Sequence, residues 1–294
     1  MKPGLSRTLA IVSAFACGAA LPQASALAWT IRWLIMAMLF ITFLQTRFSR
    51  RSLTMSHALL LAANLLMGFA ALGLGWALGG RDIALAAFFA GITPTATAAP
   101  VIVSFLRGKV EYVVIAFLLS NIVIAALLPL ILPLVLGVHT AGLYWQIART
   151  VGVIVFAPMA AAWLVRRWHP QASRWPGKLR NVSFAMWVLA LFLITANAAA
   201  FLRQEAVSEP LLLVKIVTVS GIVCALNFLL GAWIGGAEFR REASQSLGQK
   251  NTTFTIYLAM VYANPLIALG PTCYVLWHNL WNSWQLYRAE QRKI

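Results

Sequence analysis

The chain is a succession of apolar segments, each roughly 18–26 residues long, the length a helix needs to cross the hydrocarbon core of a bilayer. They fall at residues 7–23, 28–46, 54–79, 83–106, 110–136, 143–167, 181–202, 209–235, 241–264 and 266–287, separated by charged and turn-forming clusters. In lipid every backbone N–H and C=O must be satisfied inside the protein, so segments of this kind fold as helices. The connections are too short to hold a separate soluble domain. Only 10% of the 294 residues are charged, against about 25% in an average soluble domain. The expected fold class is therefore an all-α polytopic membrane protein with ten spans.

The net charge of +16 reports topology rather than nucleic-acid binding, because it alternates from loop to loop. With the N-terminus inside, cytoplasmic segments hold Lys2 and Arg7, then Arg47, Arg50 and Arg51, then Arg107 and Lys109. They continue with Arg166, Arg167, Arg174, Lys178 and Arg180, with Arg240 and Arg241, and with Arg288, Arg292 and Lys293. The opposite loops hold little more than Arg32, Arg81 and Arg203, with Arg149 and Lys215 slightly inside their spans. This is the positive-inside pattern, and with the first span retained it places both termini in the cytoplasm. Lys2, Arg7, an apolar run and Ala24-Ser25-Ala26 also resemble a secretory signal peptide. The expectation is a retained first span, since ten spans divide into five plus five.

Enzyme chemistry finds no constellation here. Four His form no HExxH pair, no Walker loop is present, and the seven acids (Asp82, Glu111, Glu205, Glu209, Glu238, Glu242 and Glu290) fall at span ends. Cys17, Cys224 and Cys273 lie in three separate segments with neither disulfide nor metal spacing. No cofactor and no metal are expected.

Two spans are interrupted. In the fourth, Thr93-Pro94-Thr95-Ala96-Thr97-Ala98-Ala99-Pro100 breaks the apolar run, and each Pro lacks an N–H and clashes with the preceding turn. In the ninth, Ser246-Leu247-Gly248-Gln249-Lys250-Asn251-Thr252-Thr253 is a polar interruption containing Gly. Spans four and nine are one repeat of five apart, the mark of an inverted-repeat secondary transporter whose discontinuous helices build the site. The expected repeats are residues 1–140 and 141–294. Lys250 stands out, because an ionisable group inside a membrane span is costly and marks function by default.

The fourth-span break followed by Arg107-Gly108, the Gly248-x-x-Asn251 break, and Val275-Leu276-Trp277-His278-Asn279 resemble the bile acid:sodium symporter family. The resemblance implies two inverted five-span repeats, with a panel domain of spans 1, 2, 6 and 7. It implies a core domain of spans 3, 4, 5, 8, 9 and 10, where broken spans 4 and 9 cross. It also implies residence in the bacterial cytoplasmic membrane.

The departures concern sodium. The family's first break reads Gly-Gly-Thr-Ala-Ser-Asn, where this chain has Thr95-Ala96-Thr97-Ala98-Ala99-Pro100. Its second reads Glu-x-Gly-Met-Gln-Asn, so Glu becomes Ser246 and Gln becomes Lys250. Family Ser and Thr ligands align with Val113 and Phe117, and a third-span Gln with Asn64. Carboxylate, hydroxyls and amide are thus lost at matched positions, and an ammonium is gained. The family's sodium sites are expected not to operate.

The function implied is a secondary or facilitative transporter of a small organic anion. Lys250, with Ser246, Gln249 and Asn64, is the candidate for ion coupling, either as a surrogate cation or as a proton carrier. Thr95, Thr97, Asn251, Thr252, Thr253, His278 and Asn279 are candidates for binding substrate. Two alternatives stay open: sodium coupling through rearranged ligands such as Glu242 or Gln249, and a transport-inactive sensor or scaffold. A metalloid carrier of the same superfamily does not fit, because the fourth-span break carries no Cys.

Overall fold

A computed structural model describes residues 3–45, 53–204 and 210–291. Lys2, Arg47, Arg50, Arg51, Glu205, Glu209, Arg292 and Lys293, named above for the charge pattern, lie outside the described residues. So do the side chains of Arg7, Arg180 and Glu290.

The protein is an all-α polytopic membrane protein. Helix α1 (Pro3–Ala20) leads through a 3-10 stretch (Pro22–Thr30) into α2 (Ile31–Gln45). Then follow α3 (Met55–Gly79), α4 (Arg81–Ile92), α5 (Ala99–Phe105) and α6 (Val110–Leu136). α7 (Ala141–Val151) continues through one π-helical turn into α8 (Ala157–Trp168), and the short α9 (Trp175–Lys178) precedes α10 (Arg180–Gln204). The chain closes with α11 (Pro210–Gly235), α12 (Arg240–Gly248), α13 (Thr252–Tyr262) and α14 (Pro265–Gln291).

Among the described residues, six continuous helical stretches are long and apolar enough to cross a membrane: Pro22–Leu44, Met55–Gly79, Val110–Leu136, Ala141–Trp168, Asn181–Phe201 and Leu211–Gly235. The other apolar segments of the sequence fall on α1, on the interrupted pairs α4/α5 and α12/α13, and on α14. The last is long, but His278, Asn279, Asn282, Gln285 and Arg288 dilute its apolar character. The span that the sequence places at 28–46 begins earlier, because Pro22 opens a tight 3-10 entry that carries Gln23 and Ser25.

Two compact units form. One gathers α3–α5, the first part of α6 and α11–α14; the other gathers most of α1, α2, the rest of α6 and α7–α10. Within the first unit α3 packs on α4, α11 packs on α12, and α14 packs on both α4 and α11. Small residues allow these approaches. Gly75 meets the backbone of Ala84, Gly231 meets that of Ala243, and Gly270 meets that of Ala86.

α4 is buried along its whole length from Ile83 to Ile92. It ends because Pro94 disfavours a helical Thr93, whose φ and ψ of −51° and 132° are extended. α5 restarts with Pro100 in its first turn, a position where the missing N–H would be unsatisfied in any case. α12 ends without proline. A side chain at Gly248 would run into the Phe228 ring, and Gln249 turns extended with φ −85° and ψ 104°.

Candidate functional site

The two interruptions meet. Thr95 and Lys250 form an isolated antiparallel bridge, in which Ala96 N–H donates to Gln249 O (2.7 Å) and Asn251 N–H donates to Pro94 O (2.8 Å). Each break therefore satisfies backbone groups that the other leaves open, which is how irregular backbone survives in a buried setting.

The freed carbonyls at the end of α4 can be followed one by one. In a continuous helix Gly91 O would accept from Thr95 N–H and Ile92 O from Ala96 N–H. Here Thr95 N–H turns to Ser120 Oγ (3.1 Å), and Ala96 N–H turns to Gln249 O. Ile92 O accepts instead from Asn64 Nδ2 (3.2 Å). Gly91 O accepts from Lys250 Nζ (3.2 Å). Lys250 Nζ also donates to Asn64 Oδ1. Lys250 is 1% exposed, so this is a buried amine at a helix C-terminus, the end whose dipole favours a cation.

The end of α12 is closed in the same manner. Ser246 O accepts from Thr95 Oγ1 (2.5 Å), and Gly248 O accepts from Tyr274 OH (2.8 Å). Thr93 Oγ1 and Thr255 Oγ1 share a hydrogen bond of 2.7 Å that ties α4 to α13. Beneath the crossing is a void of about 10 Å³, whose polar walls are His57, Asn64, Thr95, Ser120 and Ser246. It has room for one water at most. Three of its hydroxyls direct their protons elsewhere: Thr95 to Ser246 O, Ser246 to Glu242 O (2.8 Å), and Ser120 to Phe117 O (3.2 Å).

The structure thus brings Thr95, Ser246, Lys250 and Asn64 into one cluster. Gln249 faces the other side of α12, where its Oε1 accepts from Asn282 Nδ2 (2.6 Å). Thr252 and Thr253 are buried in the first turn of α13, behind Asn251 at its cap. Thr97 is half-buried beyond the bridge. His278 is 2% exposed, packs edge-on against Tyr274 (5.7 Å), and leaves Nδ1 without a hydrogen-bond partner. Asn279 turns back to its own helix at Val275 O (2.7 Å) and does not join the cluster. Glu242 is buried in the first turn of α12, and its carboxylate accepts from Lys109 N–H (2.7 Å). That bond holds it to the α5–α6 connection, two turns from Lys250.

Sequence reasoning missed Ser120, Tyr274, Asn282 and Gln245. Gln245 Nε2 donates to Asn282 Oδ1 (2.9 Å) and to Gln285 Oε1 (2.7 Å). A signal for this amide ladder was present: 278, 282 and 285 lie on one face of α14, and 245 and 249 are four residues apart at the end of α12.

Residues 19–205 match the family model described as the Sodium Bile acid symporter family. The chain belongs to that family. No curated protein matches it. A sodium bile acid symporter family protein of this build is a multi-pass membrane transporter. The match includes the first interruption and ends before Lys250, so the lysine's place follows from the bridge that joins it to Thr95.

Proposed function

We propose that this member of the sodium bile acid symporter family carries a small organic anion by alternating access, with Lys250 standing in for a coupling cation. The observation that carries the reading is the ammonium seated on Gly91 O and Asn64 Oδ1 at the paired interruptions. The proposed frame is ten spans in two inverted repeats, residues 1–140 and 141–294, placed in a bacterial cytoplasmic membrane with both termini inside. The matching order α3–α4–break–α5 and α11–α12–break–α13 supports it. The division into two compact units supports a core and a panel.

Sodium is not the proposed partner. Asn64, which walls the void, is already engaged by the ammonium, and a second cation there meets a like charge. Asn251, Thr252 and Thr253 stand at the N-terminal end of α13, which suits an anionic group. Thr95, Thr97 and His278 remain proposed contributors to the same region, whereas Asn279, bonded to its own helix, is not. A second reading, Lys250 as a proton carrier, is favoured by its burial with no carboxylate among its hydrogen-bond partners.

A thermal-shift screen of organic anions on the purified protein, with and without sodium, tests the reading. Binding at a hundred-fold excess over Kd is expected to raise Tm by roughly 5 °C, equally in both media. No shift with any anion in either medium contradicts it and favours a sensor or scaffold that carries nothing.

A further inference from the structure

The void beneath the crossing reaches toward the start of α3. His57, one of its walls, stands in the first turn of that helix, two turns before Asn64, which receives Lys250. It is 1% exposed, and its hydrogen bonds decide which nitrogen carries the proton. Thr54 N–H can only donate, and it donates to Nδ1 (3.1 Å). Nδ1 is therefore bare, so Nε2 carries the proton and donates it to Tyr112 O (3.0 Å). The imidazole rests neutral.

Hydroxyls lie on both sides of it. Thr54 Oγ1 is 2.8 Å from Nδ1 and 2.8 Å from Ser56 Oγ, and Ser56 Oγ is 2.7 Å from Tyr112 OH. Thr54 is exposed and precedes the span Met55–Gly79, so its hydroxyl meets water. Toward the crossing, Ser120, Ser246 and Thr95 wall the same void as His57 and Asn64. His57 and Asn64 are roughly 10 Å apart along α3, three or four hydrogen-bonded steps of about 2.8 Å, which one water and these hydroxyls can supply. Of the groups packed around His57, Tyr112 lies against the imidazole (4.1 Å) and stacks on Phe239 (4.5 Å). Lys109 Nζ sits over that Phe239 ring (4.4 Å), paired with Glu238 (3.1 Å). The Glu242 carboxylate accepts from Lys109 N–H (2.7 Å), and Arg241 donates to Leu106 O (3.1 Å). These charges hold one another or the backbone, and the ring that touches the imidazole is the phenol.

We propose that His57 passes protons between water and Lys250. The inference rests on the second reading above, in which Lys250 carries a proton. To charge the lysine, Nδ1 takes the Thr54 hydroxyl proton and that hydroxyl regains one from water. Nε2 gives its own proton to the water in the void, and the hydroxyls hand one on to the neutral Lys250 amine. One proton enters the ring and one leaves it. The same steps in reverse discharge the lysine and restore the resting tautomer. A neutral ring suits this task, because its bare Nδ1 is the acceptor that the incoming proton needs. All these residues belong to one compact unit.

The test is nuclear magnetic resonance of the full chain in lipid nanodiscs, with isotopically labelled lysine side-chain nitrogens. The Lys250 Nζ signal is assigned by its loss in Lys250→Gln. Its position reports the charge, and its hydrogen exchange with water reports the relay. In wild type Nζ is expected to change between amine and ammonium as pH is varied. His57→Gln keeps a donor for Tyr112 O but cannot carry a proton through, and is expected to slow the exchange by roughly 100-fold, the effect of a positioned acid–base group. Thr54→Val, at an exposed position, keeps the backbone N–H on Nδ1, removes the outer hydroxyl, and is expected to slow it in the same sense. Exchange at the wild-type rate in both variants, with Lys250 still titrating, overturns the relay and leaves the proton-carrier reading standing. A loosened fold speeds exchange, so faster exchange in His57→Gln marks the residue as structural and also overturns the proposal. A Lys250 that stays an ammonium at every pH overturns both the relay and the reading beneath it.

Discussion

Lys250→Gln is expected to reduce anion uptake by roughly 100-fold while the protein remains folded. Glutamine keeps an N–H donor for Asn64 Oδ1 or Gly91 O, so the crossing retains part of its hydrogen bonding. What it removes is the charge. A unit charge acting on an anion about 6 Å away, at an effective dielectric near 20, contributes about 3 kcal/mol, or about two powers of ten in binding. Lys250→Ala is expected to lose the same uptake and also stability. It leaves two buried acceptors without a donor, at about 1–3 kcal/mol each. The pair of variants separates charge from hydrogen bonding: uptake at wild-type rates in both, measured in proteoliposomes with unchanged protein recovery, removes Lys250 from the mechanism.

The second large effect is a gain. Ser246→Glu with Lys250→Gln restores the residues that the family pattern has at these two positions, and uptake is expected to become sodium-dependent. An ammonium about 4 Å from a sodium ion opposes it by about 4 kcal/mol at an effective dielectric near 20, roughly a thousand-fold in affinity. Removing that repulsion alone leaves no carboxylate to offset the ion. Glu at 246 supplies one on the wall of the void, beside the oxygens of Asn64, Thr95 and Ser120. Sodium stimulation of at least about ten-fold in the double variant, and little in Lys250→Gln, is the expected pattern. Full stimulation in the single variant instead indicates that sodium ligands other than residue 246 are already in place.

The interruptions were legible because Pro94, Pro100, Gly248 and Lys250 are residues that an uninterrupted apolar helix does not accommodate. Their meeting was not legible from spacing, since residues 95 and 250 are joined only by tertiary pairing. Asn64 entered through the family resemblance, and in the structure its amide closes Ile92 O with one end and receives Lys250 with the other. Ser120 and Tyr274 were hidden for a physical reason. A single hydroxyl in an apolar span has no period of its own, and each acts by finding one freed backbone group, Thr95 N–H or Gly248 O. Glu242 sits at the start of α12 in both readings. Its burial comes from Lys109 N–H, contributed by a loop 133 residues earlier. The two compact units were equally out of reach of local reasoning, because α6 serves both.

The most direct test of the surrogate cation is uptake of an identified anion into proteoliposomes, at a fixed substrate gradient, with external sodium fully replaced by a large organic cation. The account predicts the same initial rate with and without sodium, and no added rate from an inward sodium gradient. An added rate from an inward proton gradient assigns Lys250 the carrier role. A rate that rises with sodium and vanishes on its removal contradicts the claim that Lys250 occupies the place of the ion.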